Sequence, residues 1–291
     1  MSRVEYKDLL DAGVHFGHLT RKWDPRIAPY VFMEKNGIHI IDLNKTLVCL
    51  DDACNALAKI VRAGRKVMFV ATKRQAQEIV AEEAQRLRMP YVTERWLGGM
   101  LTNFATVRKS LKKMSSMDKM MKEDAFKNMA KRERLMFTRE REKLERLLGG
   151  IADLTRLPAA LFVIDVKREH IAIAEAHKLG IPVFAMVDTN SNPGAVQFPV
   201  PANDDAFKSI QIITKTVGKA IEEGLAERKK DKEEQKLAKE EQAKREADGQ
   251  KAAAKVEAKA EEAKEVEQAE PKAEKTEKVE EAKKVEEGKA E

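Results

Sequence analysis

The chain has few cysteines. It contains two in 291 residues, and Cys49 and Cys54 lie five positions apart in an apolar, helix-like stretch. This spacing fits neither a CxxC motif nor a set of metal ligands. We therefore expect two reduced thiols in the hydrophobic core, with no metal and no disulfide.

Long apolar runs and the common catalytic motifs are also missing. No run of about 18 apolar residues occurs, and the opening residues MSRVEYKDLL contain no apolar signal region, so we expect a soluble cytoplasmic protein without a membrane partner. The chain contains no GxGxxG loop after its first buried strand, no Walker-type phosphate loop, no GxSxG elbow and no HExxH pair. We expect neither a cofactor nor an enzyme.

Charge is plentiful and unevenly distributed. Residues 1–225 hold 37 basic and 28 acidic side chains, a net of +9, whereas residues 226–291 hold 18 and 21, a net of −3. The segment 108–148 alone holds 14 basic and 7 acidic residues, a net of +7. Such a stripe is typical of a surface that binds polyanions, and a solvated helical face is the alternative.

The C-terminal segment 226–291 has the composition of a chain without a core. It contains no Phe, Trp or Tyr, and its one leucine is Leu237. It cannot bury enough apolar surface to offset the entropy of ordering, so we expect it to be disordered or transiently helical.

Strands and helices alternate through most of residues 1–225. Strands are predicted at 30–33, 38–41, 66–72, 161–165 and 183–187, and helices at 4–12, 42–62, 75–88, 169–179 and 204–223. The segment 15–26 is expected to be irregular, Asn36-Gly37 is a strong turn signal, and Asp42 and Asn203 are expected to cap the helices that follow them. Continuous apolar strands between helices indicate an α/β fold with a doubly wound parallel sheet of about five strands.

One insertion interrupts this alternation. Apolar residues recur at spacings of three or four at Val107, Leu111, Met114, Met117 and Met121, and again at Leu135, Leu144, Leu147 and Leu148. The pattern predicts an antiparallel helical hairpin that turns near 122–130, with methionines in its seam. We thus divide the chain into an α/β core (1–104 and 149–225), an inserted basic hairpin or coiled coil (105–148) and the tail (226–291).

The strand ends offer candidate sites. Thr72 and Gln75 fit a capping box, but Lys73 and Arg74 would then lie in the first turn of a helix, where the macrodipole disfavours cations. A bound phosphate would remove that conflict, and simple solvation is the alternative. His18 together with Asp188 or Asp204 could hold a divalent ion if the fold brings them together, although a hydrogen-bonded or RNA-facing role is favoured.

The stretch RWLGGMLTNF at 95–104 directly precedes the basic insertion. It combines an arginine, a large aromatic ring, two adjacent glycines and an amide side chain. Arginine binds phosphate, an aromatic ring offers a stacking face, and glycine lets the backbone approach closely. This combination suits a surface that lies against a folded nucleic acid.

Taken together, these stretches resemble the bacterial small-subunit ribosomal protein S2 family. The similarity covers about 4–224 and is carried by AGVHFGHLTRKWDPRIAPYVF, NGIHIIDLNKT, ATKRQAQEIV, YVTERWLGGMLTNFATVRKS, LGGIADLTRLPAALFVID, LGIPVFAMVDTNSNPG and PANDDAFKSI. Many members have Cys-Asp where this chain has Ser191-Asn192, so no role of that thiol or carboxylate is carried over.

The resemblance implies a flavodoxin-like α/β domain with an inserted helical hairpin, bound to small-subunit ribosomal RNA. It also implies neighbouring ribosomal proteins as partners, a position near the docking region of ribosomal protein S-one, and no enzymatic activity. The tail beyond about 225 is longer than in many members, and the family says nothing about its function.

We predict a structural RNA-binding protein that supports assembly of the small subunit and translation. The predicted phosphate contacts are Arg21, Lys22, Lys73, Arg74, Arg95, Arg108, Lys109 and Lys112. Trp23 or Trp96 supplies a stacking face, or else packs in the core. Gly98 and Gly99 are expected to form a tight turn, and Asn103 to bond backbone or ribose.

Two rival functions are open. An α/β enzyme could act on a nucleotide or sugar phosphate at the strand ends with Lys73, Arg74 and Asp188, which leaves the basic hairpin unused. A scaffold for protein interaction would instead use the apolar seam of the hairpin and need no salt-sensitive RNA binding.

Overall fold

The computed structural model describes residues 3–123, 126 and 129–234. The chain divides into two units, Met1–Lys229 and Lys230–Glu291, and the sheets described below belong to the first. Of the second unit, residues 230–234 are described and are helical. The prediction of a disordered or transiently helical segment lies outside the described residues from 235 onward, and residues 226–234 are helical.

The chain begins with a short helix and a small antiparallel sheet. The elements are α1 (Tyr6–Asp11), β1 (Phe16–Leu19), β2 (Val31–Lys35) and β3 (Ile38–Ile41), and the strands lie in the order β1-β3-β2. Asn36 and Gly37 connect β2 to β3 with φ angles of 54° and 74°, which confirms the predicted turn.

The expectation of an irregular segment at 15–26 is partly wrong. Its first part pairs as β1, with Phe16 opposite Ile40 and Leu19 opposite Ile38. The rest forms short 3-10 turns, and the second of these begins where the Asp24 side chain accepts a hydrogen bond from the Arg26 backbone N–H. The mixture of glycine, histidine and basic residues in this segment does not have the pattern of a strand. The strand β1 is recognised from its pairing with β3.

Five parallel strands form the main sheet. They are β4 (Val67–Val70), β5 (Tyr91–Val92), β6 (Ala160–Ile164), β7 (Val183–Val187) and β8 (Phe198–Pro201). Their spatial order is β5-β4-β6-β7-β8, which is 2-1-3-4-5 in the order of the chain, the order of flavodoxin-like doubly wound sheets. The predicted α/β class with a parallel sheet of about five strands is confirmed.

Helices cover both faces of this sheet. The longer ones are α2 (Leu43–Arg62), α3 (Arg74–Arg86), α4 (Phe104–Met120), α5 (Lys131–Leu148), α6 (His170–Lys178) and α7 (207–234). On one face Phe69, Phe162 and Phe184 pack with residues of α2, α3 and α7. On the other face Leu161 and Val163 pack with α6 and with the bases of α4 and α5. Burial on both faces explains why the strands are apolar at every position.

Helix ends follow the predictions for α2 but not for α3. The Asp42 side chain accepts from the Asn44 N–H at 3.0 Å at the start of α2, as expected of a cap. The predicted capping box at the start of α3 is wrong. Lys73 precedes that helix without a side-chain cap, and the Thr72 hydroxyl donates instead to Glu169.

The last helix is shifted and longer than predicted. Within the described residues it covers 207–234, whereas 204–223 was predicted. Asn203 accepts hydrogen bonds from the backbone N–H groups of Asp205 at 2.9 Å and Ala206 at 3.3 Å, so it stabilises the turn before the helix. None of the helices within the described ranges is long and apolar enough to cross a membrane.

Helices α4 and α5 lie against each other at the inserted segment. Arg141 of α5 is 2.7 Å from Asp118 of α4, and the rings of Phe126 and Phe137 are 5.8 Å apart. Met114 and Met117 are buried, as expected of seam residues. The supercoiling of this pair and the proposed division of the chain into three segments stay predictions.

Candidate nucleic-acid interface

Cations follow the carboxyl ends of neighbouring parallel strands. Arg74 comes after β4 and Arg95 comes after β5, and both side chains are exposed. The carboxyl ends of these strands form one border of the sheet, which we call the carboxyl edge. Ligands of doubly wound sheets bind beyond this edge, because loops rather than strands surround the space there.

The N-terminal segment is fastened to the same edge. The backbone N–H groups of His18 and Asp24 donate to the hydroxyl and carbonyl oxygens of Thr189, at 2.7 and 2.8 Å. Thr189 comes directly after Asp188 at the end of β7. Arg21 and Lys22 lie between these two anchors and are exposed, so the fold places them at the carboxyl edge as well.

Helix α4 presents a second group of cations. Arg108, Lys109 and Lys112 are exposed and share one side of the helix, because positions three and four apart lie on the same face. Leu111 and Met114 on the opposite side are buried. Within the described residues none of the three cations has an ion-pair partner, so their charges are available to an external anion.

Lys73 is not available in this way. Its Nζ lies 2.7 Å from a carboxylate oxygen of Asp204, 2.5 Å from one of Asp205 and 4.0 Å from one of Asp165, and the side chain is buried. Burial lowers the pKa of Lys73, but Asp204 and Asp205 outweigh it and the pKa is raised overall. The prediction that Lys73 contacts phosphate is corrected, because the ammonium group is already paired inside the protein.

His18 and Asp188 lie in the same group of charged side chains as Lys73 and Asp204. Nδ1 of His18 is 3.0 Å from Asp188, and this hydrogen bond raises the pKa of the imidazole. Asp204 is fully buried, and burial followed by repulsion from Asp188 and Asp165 raises its pKa to about 7. One Asp204 oxygen has no hydrogen-bond partner in the described part of the chain. We call these residues together with Lys73 and Asp205 the charge cluster.

The fold meets the condition on which the metal hypothesis depends. One ligand atom from each of His18, Asp188 and Asp204 lies within 4.8 Å of the others. An imidazole with two carboxylates suits a divalent transition metal. The ammonium group of Lys73, however, already supplies positive charge to Asp204, so a divalent cation there stays a hypothesis.

The charge cluster also bears on the enzyme hypothesis. That hypothesis requires Lys73, Arg74 and Asp188 to face one substrate. Lys73 and Asp188 are buried and paired with protein groups, whereas Arg74 is exposed. The three side chains therefore do not form an open phosphate site.

Trp96 belongs to the core. Its side chain is 6% exposed, and its Nε1–H donates to Glu175 at 3.1 Å. Of the two alternatives for this residue, the core is right and the stacking face is wrong. The side chain of Trp23 is 36% exposed and packs against His39 with ring centroids 4.7 Å apart. Trp23 therefore stays the candidate for stacking on a base.

The predicted tight turn at the glycine pair is present, whereas Asn103 has a different hydrogen-bond partner from the one expected. Gly99 has a φ of 87°, which confirms the tight turn at that position. Asn103 is exposed, and its Oδ1 accepts a hydrogen bond from the Thr106 hydroxyl at 2.9 Å rather than from backbone. Its contact with ribose stays a prediction.

Glu175 and Glu169 are important residues that the sequence reasoning missed. Glu175 accepts hydrogen bonds from three backbone N–H groups of the segment 99–102, and Glu169 accepts from the Thr72 N–H at 3.0 Å. A signal existed for Glu175, since it is a lone carboxylate in the apolar stretch IAIAEA. Such a residue must find several donors when a helix turns that side inward.

Comparisons with known proteins agree with the resemblance in the sequence. Residues 9–224 match the family model described as Ribosomal protein S2. A relative from Cytophaga hutchinsonii named small ribosomal subunit protein uS2 is 74% identical over 235 residues, which cover 81% of this chain and 92% of the relative. Relatives of the same name from Parabacteroides distasonis and Flavobacterium psychrophilum are 59% and 61% identical over 80% of this chain, and the matches cover 84% and 87% of those relatives.

Proposed function

The chain belongs to the ribosomal protein S2 family, and we propose that it binds small-subunit ribosomal RNA through the exposed cations of the carboxyl edge and of α4. Members of this family are structural components of the small ribosomal subunit rather than enzymes, so the predicted absence of an enzymatic activity is confirmed. The proposed location is the ribosome in the cytoplasm, and the proposed role includes support of subunit assembly.

The observation that carries the RNA proposal is a group of three cations without ion pairs on one face of α4. Some other cations of the described residues, such as Lys73, Arg86 and Arg141, are held by carboxylates. Arg108, Lys109 and Lys112 have no such partner there, although they lie on one rigid helical face. Unmatched cations on a rigid face suit the regular phosphates of an RNA helix.

The mode of recognition follows from the residue types. The major groove of an RNA helix is too narrow for side chains, so a protein reads the helix through phosphates and 2′-hydroxyl groups. Arg21, Lys22, Arg74 and Arg95 add phosphate ligands at the carboxyl edge, and Trp23 can stack on an unpaired base. We therefore expect recognition of RNA shape more than of sequence.

Neighbouring small-subunit proteins, including ribosomal protein S-one, are proposed as further partners. The small antiparallel sheet supports this, because its register places Phe16, Ile40 and Met33 in one row on one face. Phe16 and Met33 are 49% and 48% exposed, and Phe32, which precedes Met33 in β2, is 70% exposed. Exposed apolar groups of this density suit a protein partner better than RNA phosphates.

Sedimentation of the tagged full chain from cell lysate at low and high salt, with the recovered RNA sequenced, tests the proposal. Co-migration with small subunits that carry small-subunit ribosomal RNA, released only at high salt, is the expected result. A slowly sedimenting free protein without RNA would overturn the proposal.

A further inference from the structure

Glu175 of α6 accepts an unusually large number of hydrogen bonds for one carboxylate. Its Oε1 accepts from the Trp96 Nε1–H at 3.1 Å and from the Gly99 N–H at 2.7 Å. Its Oε2 accepts from the Leu101 N–H at 2.9 Å, and from the N–H and hydroxyl of Thr102 at 3.0 and 3.1 Å. One carboxylate on α6 thus holds five donors from a stretch of seven residues.

The backbone of that stretch explains why a carboxylate is needed. Residues 96–97 are irregular and residues 98–103 form turns, so their N–H groups have no ladder of acceptors from a strand or a helix. The positive φ of Gly99 lets the chain reverse, and the N–H groups on either side of the turn converge on α6. A buried N–H without an acceptor is costly, and the two oxygens of Glu175 satisfy several at once.

The ionised form of the side chain matches this geometry. Burial raises the pKa of Glu175, but the hydrogen bonds from Thr102, Leu101, Trp96 and Gly99 outweigh it, and the pKa is lowered. A glutamine at this position would keep the volume and one oxygen, but its amide group would direct two N–H donors at backbone donors. The site therefore distinguishes a carboxylate from its neutral isostere.

The segment that Glu175 holds connects the two groups of exposed cations. Arg95 precedes it at the carboxyl edge, and α4 with Arg108 and Lys109 follows it. Trp96 and Leu101 pack into the core beneath the segment, so apolar contacts set its depth. The directional hydrogen bonds to Glu175 set its orientation, and through it the direction in which α4 leaves the sheet.

We infer that Glu175 is a positioning residue for RNA binding, which acts by holding the segment 96–102 so that Arg95 and the cations of α4 face the same RNA. This inference rests on the proposed function. Glu175 itself is buried and negatively charged, so it makes no contact with phosphate. Its contribution is the fixed geometry of cations that would otherwise have to be ordered when RNA binds.

The decisive variant is Glu175→Gln in the full-length chain, with Glu78→Gln as the matched control. Glu78 is an exposed residue of α3, so its replacement makes the same change of charge without touching the segment. Each protein is tested for binding to transcribed small-subunit ribosomal RNA over a range of salt, at a temperature where it is folded. Hydrogen exchange of the Gly99, Leu101 and Thr102 amides is measured on the same samples.

For Glu175→Gln we expect faster exchange at these three amides and a loss of affinity of roughly three- to tenfold, with a shallower salt dependence because fewer phosphates are contacted at once. Glu78→Gln should match the parent protein in all three respects. Glu175→Asp keeps the charge but is one methylene shorter, so its values should fall between those of the parent and Gln. If the Gln variant does not fold, the Asp variant carries the test.

Two outcomes would overturn the inference. Unchanged exchange in the Gln variant would show that the carboxylate does not hold the segment. Faster exchange with unchanged affinity and salt slope per folded molecule would show that Glu175 only stabilises the fold. If the parent chain itself binds no ribosomal RNA, the proposed function fails, and the exchange data still report separately whether Glu175 holds the segment.

Discussion

Lys73 and Lys109 have the same side chain and lie in different electrostatic surroundings. Lys73 is buried beside three carboxylates at the carboxyl edge, whereas Lys109 is exposed on α4 with no carboxylate partner in the described residues. Both belong to basic stretches of the sequence. The difference shows that a cation serves binding or stability according to which loops the sheet topology brings beside it, and counting charges along the chain does not reveal which.

The largest expected effect is on the free energy of unfolding, when the buried Lys73 is replaced. Lys73→Met removes the cation and leaves Asp204 and Asp165 without their balancing charge. At about pH 8, above the raised pKa of Asp204, we expect a loss of about 3–5 kcal/mol in the free energy of unfolding, the usual cost of removing one partner of a buried ion pair. Urea unfolding measures it, and RNA affinity per folded molecule should not change.

Lys109→Met is the matched control, since it makes the same replacement at an exposed position. Its free energy of unfolding should stay within about 0.5 kcal/mol of the parent value. Equal effects of the two replacements on stability would show that Lys73 is not the charge that balances the cluster.

A second prediction concerns how the stability of the charge cluster depends on pH. The pKa of Asp204 is raised to about 7 by burial and by Asp188 and Asp165, against about 3.9 when unfolded, so the native state holds this proton more tightly. The stabilisation is complete below the unfolded pKa and is lost as pH rises through the folded pKa. Asp204→Asn stays neutral, so it should become progressively more stable than the parent, by up to a few kcal/mol, between about pH 4 and about pH 8.

Urea unfolding of both proteins across that range checks this prediction. The raised pKa of His18 gives a trend of the same sign in both proteins, smaller in Asp204→Asn because Asp204 contributes to that raised pKa. The difference between the two proteins therefore reports Asp204 together with its effect on His18. A difference that stays constant with pH would mean that Asp204 is ionised throughout.

The role of the exposed cations is tested by a triple variant in which Arg108, Lys109 and Lys112 are each replaced by Gln. We expect the slope of log affinity against log salt to fall by roughly two units, since each lost phosphate contact removes somewhat less than one. The free energy of unfolding should change little because the three side chains are exposed. Binding to small-subunit ribosomal RNA at several salt concentrations, with urea unfolding alongside, gives both quantities.

The matched control replaces Lys208, Lys215 and Lys219 of α7, which are also exposed and carry the same total charge. An equal loss of slope in both triple variants would mean that only net charge matters and that α4 is not a defined footprint.

Single replacements Arg95→Ala and Lys109→Ala should each reduce the slope by somewhat less than one unit.

How far the sequence predicts this molecule depends on the range of the interactions involved. Apolar strands, the Asn36–Gly37 turn and the Asp42 cap arise from local chemistry and were predictable. The partners of Lys73 and Glu175 come from segments more than 70 positions away, at Asp204 and at Trp96. Such pairings depend on which strand ends meet, and a periodic pattern carries no information about that.

The smallest effect is expected in the C-terminal segment, whose opposite charges are nearly balanced. Deletion of 235–291 should leave the free energy of unfolding within about 0.5 kcal/mol of the parent value, because the main sheet and both of its cores lie before it. Deletion of 226–291 also removes Glu227, which is 3.3 Å from Arg62, and Arg228, which covers Gly64. An exposed pair of this kind contributes at most about 1 kcal/mol, so the longer deletion should lower the melting temperature by only a few degrees. A large fall after the shorter deletion, measured by thermal unfolding, would show that the segment stabilises the folded body.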